Sequence, residues 1–238
     1  MKVLLTNDDG IQATGLHAMR RALLEVPGVE LATIAPDSNR SATARSITTR
    51  SPLWVDEVEL GDGTVGYATD GTPVDCVRFA ALEGIVLGVP AIAVSQQADH
   101  GAMDFRIGRS WEPENFAAVA AFVARIVEEL SEVPMPEGTL LNVNAPAGDV
   151  AGVSACRLGK RIYRDTLELA EEEGGRRRYR IYGESPGYHP EDGTDFAAIA
   201  DGRIAVTPLH FDLTDRAAVE TLAGFDFDRL LGPAAKEV

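Results

Sequence analysis

The fold is decided at the start of the chain by residues 2–36, which read KVLLTNDDGIQATGLHAMRRALLEVPGVELATIAP. Residues 2–6 predict a short buried strand, and apolar residues recur at helical spacing through residues 15–26. A second buried strand is predicted at residues 29–36. A strand followed by a loop, a helix and another strand favours parallel pairing through a right-handed crossover.

Strand and helix patterns continue to alternate through the first 146 residues. Thr72 and Pro73 open one of the helices as its cap and its first-turn residue. The predicted elements are exposed or edge strands at 54–60 and 64–71, helices at 73–88 and 112–133, and buried strands at 90–95 and 138–146. We therefore predict an α/β fold with a doubly wound, mostly parallel sheet.

The C-terminal region, residues 147–238, changes character but is expected to belong to the same domain as the core, residues 1–146. It contains a charged stretch at 161–184, in which Gly174 and Gly175 separate two extended runs. A two-residue turn there predicts a hairpin with facing charges, each opposite-charge pair contributing about 0.2–1 kcal/mol. The facing pairs are Glu173 with Arg176, Glu172 with Arg177, and Glu171 with Arg178. A solvated charged loop is the alternative. A late strand is predicted at 203–213.

The composition and charge narrow the classes of function. Hydrophobic residues make up 45% and charged residues 25%, which is the ordinary profile of a soluble globular protein. The net charge of −15 opposes binding to a nucleic-acid duplex, because phosphate contacts need a basic surface. It does not exclude a small anionic substrate if a metal ion neutralises one local site.

The expected compartment is the cytoplasm. No apolar run is long enough to span a bilayer, and acidic residues interrupt the N-terminal apolar segment too early for a secretory signal. Cys76 and Cys156 lie far apart and form no CxxC unit, so we expect two reduced thiols.

Two adjacent carboxylates, Asp8 and Asp9, follow the first strand and are expected at the rim where ligands bind in open α/β sheets. Gly10 and Gly15 flank a loop that leads into a helix N-terminus, which favours anions. A hard cation such as Mg²⁺ or Mn²⁺ would relieve the repulsion between the two acids. Ordinary turn chemistry also explains Asp-Asp-Gly after a strand, and both interpretations remain open.

One competing enzyme motif is disfavoured by Asn7. Phosphatases of the haloacid dehalogenase type carry Asp-x-Asp-Gly, and the first aspartate is their nucleophile. Asn7 occupies that position here and cannot play the role.

A second polar cluster, residues 37–41, follows the second strand. Arg40 is a candidate clamp for a phosphate group, and Ser41 is a candidate neutral oxygen ligand for a metal ion. A polar turn with a surface arginine is the alternative.

Several longer motifs resemble the SurE family, the stationary-phase survival proteins, over nearly the whole chain. The matching stretches are LLTNDDGI (4–11), APDSNRSATARSIT (35–48), DGTPVDCV (70–77), GVPAIAVS (88–95), LLNVNAP (140–146), RLGKRIYRD (157–165) and GTDFAAIADGRIAVTPLHFDLT (193–214). The resemblance implies a Rossmann-like core and a C-terminal hairpin arm that mediates homodimers or homotetramers. It also implies a 5′/3′-nucleotidase, an acid-phosphatase-like hydrolase of nucleoside monophosphates with no membrane partner.

The resemblance also implies roles for individual residues. Asp8, Asp9 and Ser41 correspond to ligands of one divalent cation per subunit, Mg²⁺ or Mn²⁺, and the two aspartates to catalytic groups. Asn39 corresponds to part of the phosphate environment, to which the local sequence adds Arg40 and Gly10.

The chain departs from the family after residue 79. Family members have a strand, a glycine-rich SGIN-type loop and a further helix start at this point, but here VDCVRF (74–79) runs directly into AALEGIVLG (80–88). One strand and one asparagine ligand are therefore missing, and Asp70 or water is left to fill the vacancy. We expect weaker metal binding and reduced or absent turnover. The alternative function is a catalytically impaired scaffold that binds nucleotide or metal.

Overall fold

The computed structural model describes residues 1–40, 48, 51–80, 90–97, 116–136, 138–162, 165–183, 187–210 and 214–230. The strands are β1 (Lys2–Leu5), β2 (Glu30–Pro36), β3 (Val55–Glu59), β4 (Val65–Thr69), β5 (Ala91–Gln96), β6 (Thr139–Ala145), β7 (Gly152–Ala155), β8 (Arg161–Ile162), β9 (Asp165–Glu173), β10 (Arg176–Gly183), β11 (Gly187–Tyr188) and β12 (Arg203–His210). The helices are α1 (Thr14–Leu24), α2 (Pro73–Ala80), α3 (Ala117–Glu128), α4 (Asp195–Ala200) and α5 (Arg216–Ala223).

The first four-stranded sheet has the order β1-β2-β4-β3. β1 and β2 pair in parallel with Leu5 opposite Thr33, as predicted for a strand, helix and strand unit. β4 is parallel to β2, and β3 is the antiparallel edge. Because β2 has a strand on both sides, its carboxyl half is buried. This places the ends of β1 and β2 side by side.

The second four-stranded sheet has the order β5-β6-β12-β7. β5 and β6 are parallel, as predicted, while β12 is antiparallel to β6 and parallel to β7. The sequence patterns did not predict β7 or α4. Both are too short for periodicity to identify, although Thr194 caps α4 by accepting a hydrogen bond from the N–H of Ala197. The α/β class and the parallel pairing predicted from sequence are confirmed.

The larger of the two hydrophobic clusters among the described residues includes side chains from both sheets. Helices α1 and α3 pack on one another, and their buried faces meet side chains of β6 and β12. The fully buried members are Met19, Leu23, Val119, Ala120, Val123, Val127, Val143, Ala145 and Ile204. Partly buried residues of β1, β2 and β5 pack against the same cluster. Side chains therefore connect the two sheets.

Strands β1 and β5 are less buried than the sequence predicted. Residues 3–5 of β1 are half-buried, and Val94 of β5 is 37% exposed. In the described part of the chain each of these strands pairs with a single neighbour, β2 for β1 and β6 for β5. An apolar strand that is covered on one edge only leaves more of its surface to solvent, which explains the difference.

The charged hairpin is confirmed with the predicted register. β9 and β10 are antiparallel, and Gly174 and Gly175 have φ angles of 56° and 78°, as a type I′ turn requires. The three predicted facing pairs are Arg176 with Glu173, Arg177 with Glu172, and Arg178 with Glu171. Ion pairs form at the second and third, with N–O distances of 3.0 and 3.7 Å.

The remaining predicted elements are found within shorter bounds. The helix predicted at 73–88 is described as far as Ala80, and residues 81–89 lie outside the described residues. The late strand ends at His210, and residues 211–213 also lie outside them. No helix in the described ranges is long and apolar enough to cross a membrane.

Candidate active site

The loops that follow β1 and β2 are joined by backbone hydrogen bonds. The N–H of Ile11 donates to the carbonyl of Pro36 at 2.8 Å, and the N–H of Arg40 donates to the carbonyl of Asp8 at 2.7 Å. The pairing of the parallel strands thus continues past their ends. It brings the two polar clusters predicted from sequence together at one rim.

Gly10 lets these two loops approach closely. Its φ is +106°, and a Cβ at this position would lie 3.1 Å from the backbone carbon of Ser38. Asn7 braces the turn, since its Nδ2 donates to the carbonyl of Gly10 and its Oδ1 accepts from the N–H of Gly10. Asn7 therefore has a structural role here. The phosphate contact expected of Gly10 stays a prediction.

Asp8 and Asp9 are exposed at the end of β1, and Asn39 lies beside them. The Nδ2 of Asn39 donates to Oδ1 of Asp9 at 3.1 Å. The structure thus brings together Asp8, Asp9, Asn39 and Arg40 from two loops that are about 30 residues apart in sequence. Ser41, the third predicted metal ligand, lies outside the described residues.

Arg40 is held by contacts within the protein. Its Nη2 donates to Oδ1 of Asp37 and to the carbonyl of Asp70, each at 3.1 Å. The side chain of Asp70, suggested as a replacement ligand, accepts a hydrogen bond from the N–H of Trp54 at 3.0 Å. The guanidinium therefore links the residue 37–40 loop to the segment that follows β4.

The donor set at this rim suits a hard divalent cation. Mg²⁺ takes oxygen ligands, is commonly held through one or two carboxylates and keeps several waters. Asp8 and Asp9 supply two exposed carboxylates, and the Oδ1 atom of Asn39 is a neutral amide oxygen, which is also a hard ligand. Within the described ranges, no group of three or more His, Cys, Asp or Glu side chains is arranged to hold a metal ion.

Cys76 lies fully buried on α2, behind the first strand. Burial disfavours the thiolate and raises the pKa of Cys76 to about 11, and the nearby charge of Asp75 acts in the same direction. Cys76 and Cys156 are both free, as the sequence predicted. Cys76 therefore remains a neutral thiol at physiological pH and packs as a small apolar group.

Asp75, in the first turn of α2, has more hydrogen-bond partners than a helix cap needs. It is 3% exposed and accepts hydrogen bonds from Thr72 and also from Thr48, which is 27 positions away. Burial opposes ionisation of this carboxyl, but the hydrogen bonds from the N–H groups and hydroxyls of Thr72 and Thr48 together lower the pKa of Asp75. The sequence patterns did not predict the contact of Thr48 with Asp75, because periodicity reports only on neighbours that are close in sequence.

Comparison with known proteins identifies similar chains. The family model described as "Survival protein SurE" matches residues 3–81 and 79–165. A protein named 5′-nucleotidase SurE from Rubrobacter xylanophilus is 42% identical, over 97% of this chain and 99% of the relative. One of the same name from Chloroflexus aggregans is 36% identical, over 96% and 100%. The crystal structure of the SurE protein from Aquifex aeolicus matches with a TM-score of 0.70 and 28% identity, over 93% of this chain and 98% of that one.

These comparisons also bear on the departure after residue 79. The alignment with the Rubrobacter relative runs over 275 positions although the chain has 238 residues, so the relative carries residues that this chain lacks. The family match divides at residues 79–81, at the end of α2. This is the place where the sequence predicts the missing block.

Proposed function

Because the chain belongs to the SurE family, we propose that it is a 5′-nucleotidase that hydrolyses nucleoside monophosphates to a nucleoside and phosphate. One observation carries the proposal. Asp8, Asp9 and Asn39 converge at the ends of β1 and β2, in a chain 42% identical to a protein named 5′-nucleotidase SurE. We also propose that the enzyme acts on nucleoside 3′-monophosphates and is acid-phosphatase-like.

In this proposal the enzyme depends on one divalent cation per subunit, Mg²⁺ or Mn²⁺. Asp8, Asp9 and Ser41 would hold it. When bound, such a cation polarises a phosphoryl oxygen and lowers the pKa of a coordinated water. The exposure of both aspartates leaves them accessible to an ion and to a substrate.

The protein groups act on the water and on the phosphoryl oxygens. Asp8 or Asp9 orients the attacking water and accepts its proton, which is general base catalysis. The Nδ2 of Asn39, already 3.1 Å from Asp9, donates to a phosphoryl oxygen. Arg40 adds positive charge where negative charge develops, and Gly10 lets the two loops of the site approach closely. Since Asp37 and Asp70 fix the guanidinium, its charge acts from a preset position.

The test is phosphate release by the full chain from 5′- and 3′-nucleoside monophosphates, with Mg²⁺, with Mn²⁺ and with a chelator. We expect release with a metal ion, and loss of release in Asp8→Asn and Asp9→Asn. Asp149→Asn is the control, because Asp149 is an exposed carboxylate in the loop after β6. If no nucleotide is cleaved with either metal ion, or if both aspartate variants retain full activity, the proposal is wrong.

A second candidate function follows from the missing block. The family match divides at residues 79–81, and the alignment with the Rubrobacter relative is longer than this chain, which supports a missing block at this place. We propose as the alternative a catalytically impaired scaffold that binds nucleotide or metal without turnover. Titration calorimetry separates the two functions, since tight binding of Mn²⁺ or a nucleotide with no phosphate release favours the scaffold.

We further propose a homodimer or homotetramer assembled through the β9–β10 hairpin, located in the cytoplasm. The hairpin supports this, because a two-stranded hairpin is marginal in water unless it packs on something else. In the described part of the chain, β9 and β10 form a sheet of their own. Sedimentation of the full chain, compared with a variant that lacks residues 166–182, tests the assembly. A deletion variant with unchanged mass would exclude the hairpin as the contact.

A further inference from the structure

Trp54 is the most exposed large apolar side chain in the described part of the chain, at 75% exposure. The backbone that carries it is nevertheless fixed. Its N–H donates to Oδ1 of Asp70 at 3.0 Å. The preceding residue, Leu53, packs closely on Gly71, where a Cβ would lie 3.3 Å from Cδ1 of Leu53. Trp54 therefore presents an exposed indole on an anchored main chain.

Trp54 lies at the same edge of the first sheet as the candidate active site. It directly precedes β3, which is antiparallel to β4, and Val55 pairs with Thr69 at the carboxyl end of β4. In the strand order β1-β2-β4-β3, residue 54 is therefore at the edge where β1 and β2 end. Because neighbouring strands are about 4.8 Å apart, β3 lies roughly 10 Å from β2 and roughly 14 Å from β1.

A continuous series of hydrogen bonds between described residues connects Trp54 to the candidate active site. Asp70 is the link, because its side chain accepts from the N–H of Trp54 and its carbonyl accepts from Nη2 of Arg40 at 3.1 Å. The N–H of Arg40 in turn donates to the carbonyl of Asp8 at 2.7 Å. These contacts fix the main chain of Trp54 relative to the loops that carry the site.

The charges along this edge change from one side of Asp70 to the other. On the side of β2, the guanidinium of Arg40 supplies positive charge. On the side of β3, the exposed residues that follow Trp54 are Asp56 and Glu57. Acidic groups repel a phosphate but do not oppose a neutral ring. The end of the edge at Trp54 therefore suits the uncharged part of a nucleotide, and the other end suits its phosphate.

We propose that Trp54 stacks on the base of the nucleoside monophosphate and strengthens its binding. The inference rests on the proposed function, in which the phosphate lies at Asp8, Asp9 and Asn39. From there, a ribose and a base extend over a distance comparable with the separation of β1 and β3. Stacking of one base on an aromatic side chain strengthens binding about 5- to 150-fold. Purine nucleotides gain most, because a purine covers more of an indole than a pyrimidine does.

Steady-state kinetics with two substrates test the inference. Trp54→Ala is expected to raise KM for adenosine 5′-monophosphate at least about 5-fold with little change in kcat. Ribose 5-phosphate carries the same ester without a base, so its kinetics should not change. Trp54→Phe keeps a ring and should recover part of the lost affinity. Val65→Ala is the control, because Val65 is an exposed apolar residue at the opposite end of β4. An equal change for both substrates in Trp54→Ala overturns the inference.

The outcomes also separate this inference from the proposed function. If the wild type cleaves nucleotides and Trp54→Ala has the wild-type KM, the function stands and the inference fails, also where the variant changes the sedimenting mass and Trp54 is thus a subunit contact. If the wild type cleaves none, the function fails and fluorescence tests the inference. The chain has two tryptophans, so Trp111→Phe leaves only Trp54. Quenching by adenosine 5′-monophosphate with Mn²⁺, but not by ribose 5-phosphate, supports stacking. Equal responses to both, or none, overturn it.

Discussion

Two pairs of parallel strand ends in this molecule are built alike and carry different chemistry. The first rim consists of residues 7–11 and 36–40, after β1 and β2, and the second rim of residues 96–97 and 145–148, after β5 and β6. At the first rim, the Asn39 amide reaches Asp9. At the second, Gln96 donates to the carbonyl of Pro146, and the N–H of Ala147 donates to Oε1 of Gln97.

The difference shows that the sheet topology determines where a site can form, whereas the side chains at that position determine its chemistry. Both rims join adjacent parallel strands by side-chain hydrogen bonds. The contacts at the second rim are between amides and backbone, whereas the first rim exposes two carboxylates. Among the described residues of the two rims, the exposed carboxylates that could act as a general base or a cation ligand lie at the first. Fold similarity alone would not distinguish them.

The largest expected effect comes from removing a carboxylate at the first rim. Asp9→Ala is expected to lower kcat/KM for a nucleoside monophosphate by at least about 100-fold, because it removes a candidate base and metal ligand. Gln97→Ala, which removes one hydrogen bond at the second rim, is expected to cost about 1 kcal/mol of stability and no activity. Phosphate release and thermal melting measure the two effects. Equal loss of activity in both variants would contradict the division of roles.

A smaller effect is expected from a glycine within each rim, Gly10 in the first and Gly148 in the second. Gly10 and Gly148 have φ angles of +106° and +76°, so alanine at either costs about 1 kcal/mol in backbone strain. A Cβ on Gly10 also presses on the backbone of Ser38, whereas one on Gly148 meets nothing within 4 Å. Gly10→Ala should therefore also lower kcat/KM about 10-fold, and Gly148→Ala should not. Kinetics and melting curves of the two variants, measured side by side, test this prediction. If Gly10→Ala has the wild-type kcat/KM, the close approach of the two loops at Gly10 does not matter for activity.

Metal binding should stabilise the protein through the first rim. A ligand that binds only the folded state adds about 2.7 kcal/mol when its concentration is 100 times its Kd. We expect Mn²⁺ to raise the Tm of the wild type and of Gln96→Ala, but not of Asp8→Asn. Thermal melting with and without a chelator measures the shift. A shift that survives in Asp8→Asn would place the ion elsewhere.

The smallest expected effect concerns the two thiols, one beside each sheet. Cys76 is fully buried with its pKa raised to about 11, while Cys156 is half-buried beside the hydroxyl of Thr207. A thiol reagent at pH 8 should label Cys156 in the native protein and Cys76 only after unfolding. Because the pKa of Cys76 is higher in the folded state, its contribution to stability is complete below its ordinary value of 9.0 and is lost as the pH rises toward 11. Rapid native labelling of Cys76 would show that α2 opens easily.

Much of the fold was predictable because its signals are local. The apolar periods in residues 2–36 define β1, α1 and β2, and the glycines at 174 and 175 define the register of the hairpin. The predicted meeting of Asp9 with Asn39 follows from the geometry of parallel strands, whose carboxyl ends share one edge.

Other features depend on neighbours that a sequence pattern does not contain. β7 and α4, of four and six residues, are too short to show a period. The contact of Thr48 with Asp75 joins positions 27 residues apart. The half-exposure of β1 and β5 depends on which strand lies beside them, so an apolar run alone overestimated their burial.

The packing of α1 against α3 has a consequence for how the molecule melts. Eight of the described strands form two separate four-stranded sheets, yet Met19, Val123 and Ile204 belong to one hydrophobic cluster. In the described part of the chain, side-chain contacts therefore connect the two sheets. We expect a single calorimetric transition for the wild-type protein. A smaller side chain at Val123, which would leave a cavity in this cluster, should split the transition into two, with the two sheets then unfolding separately.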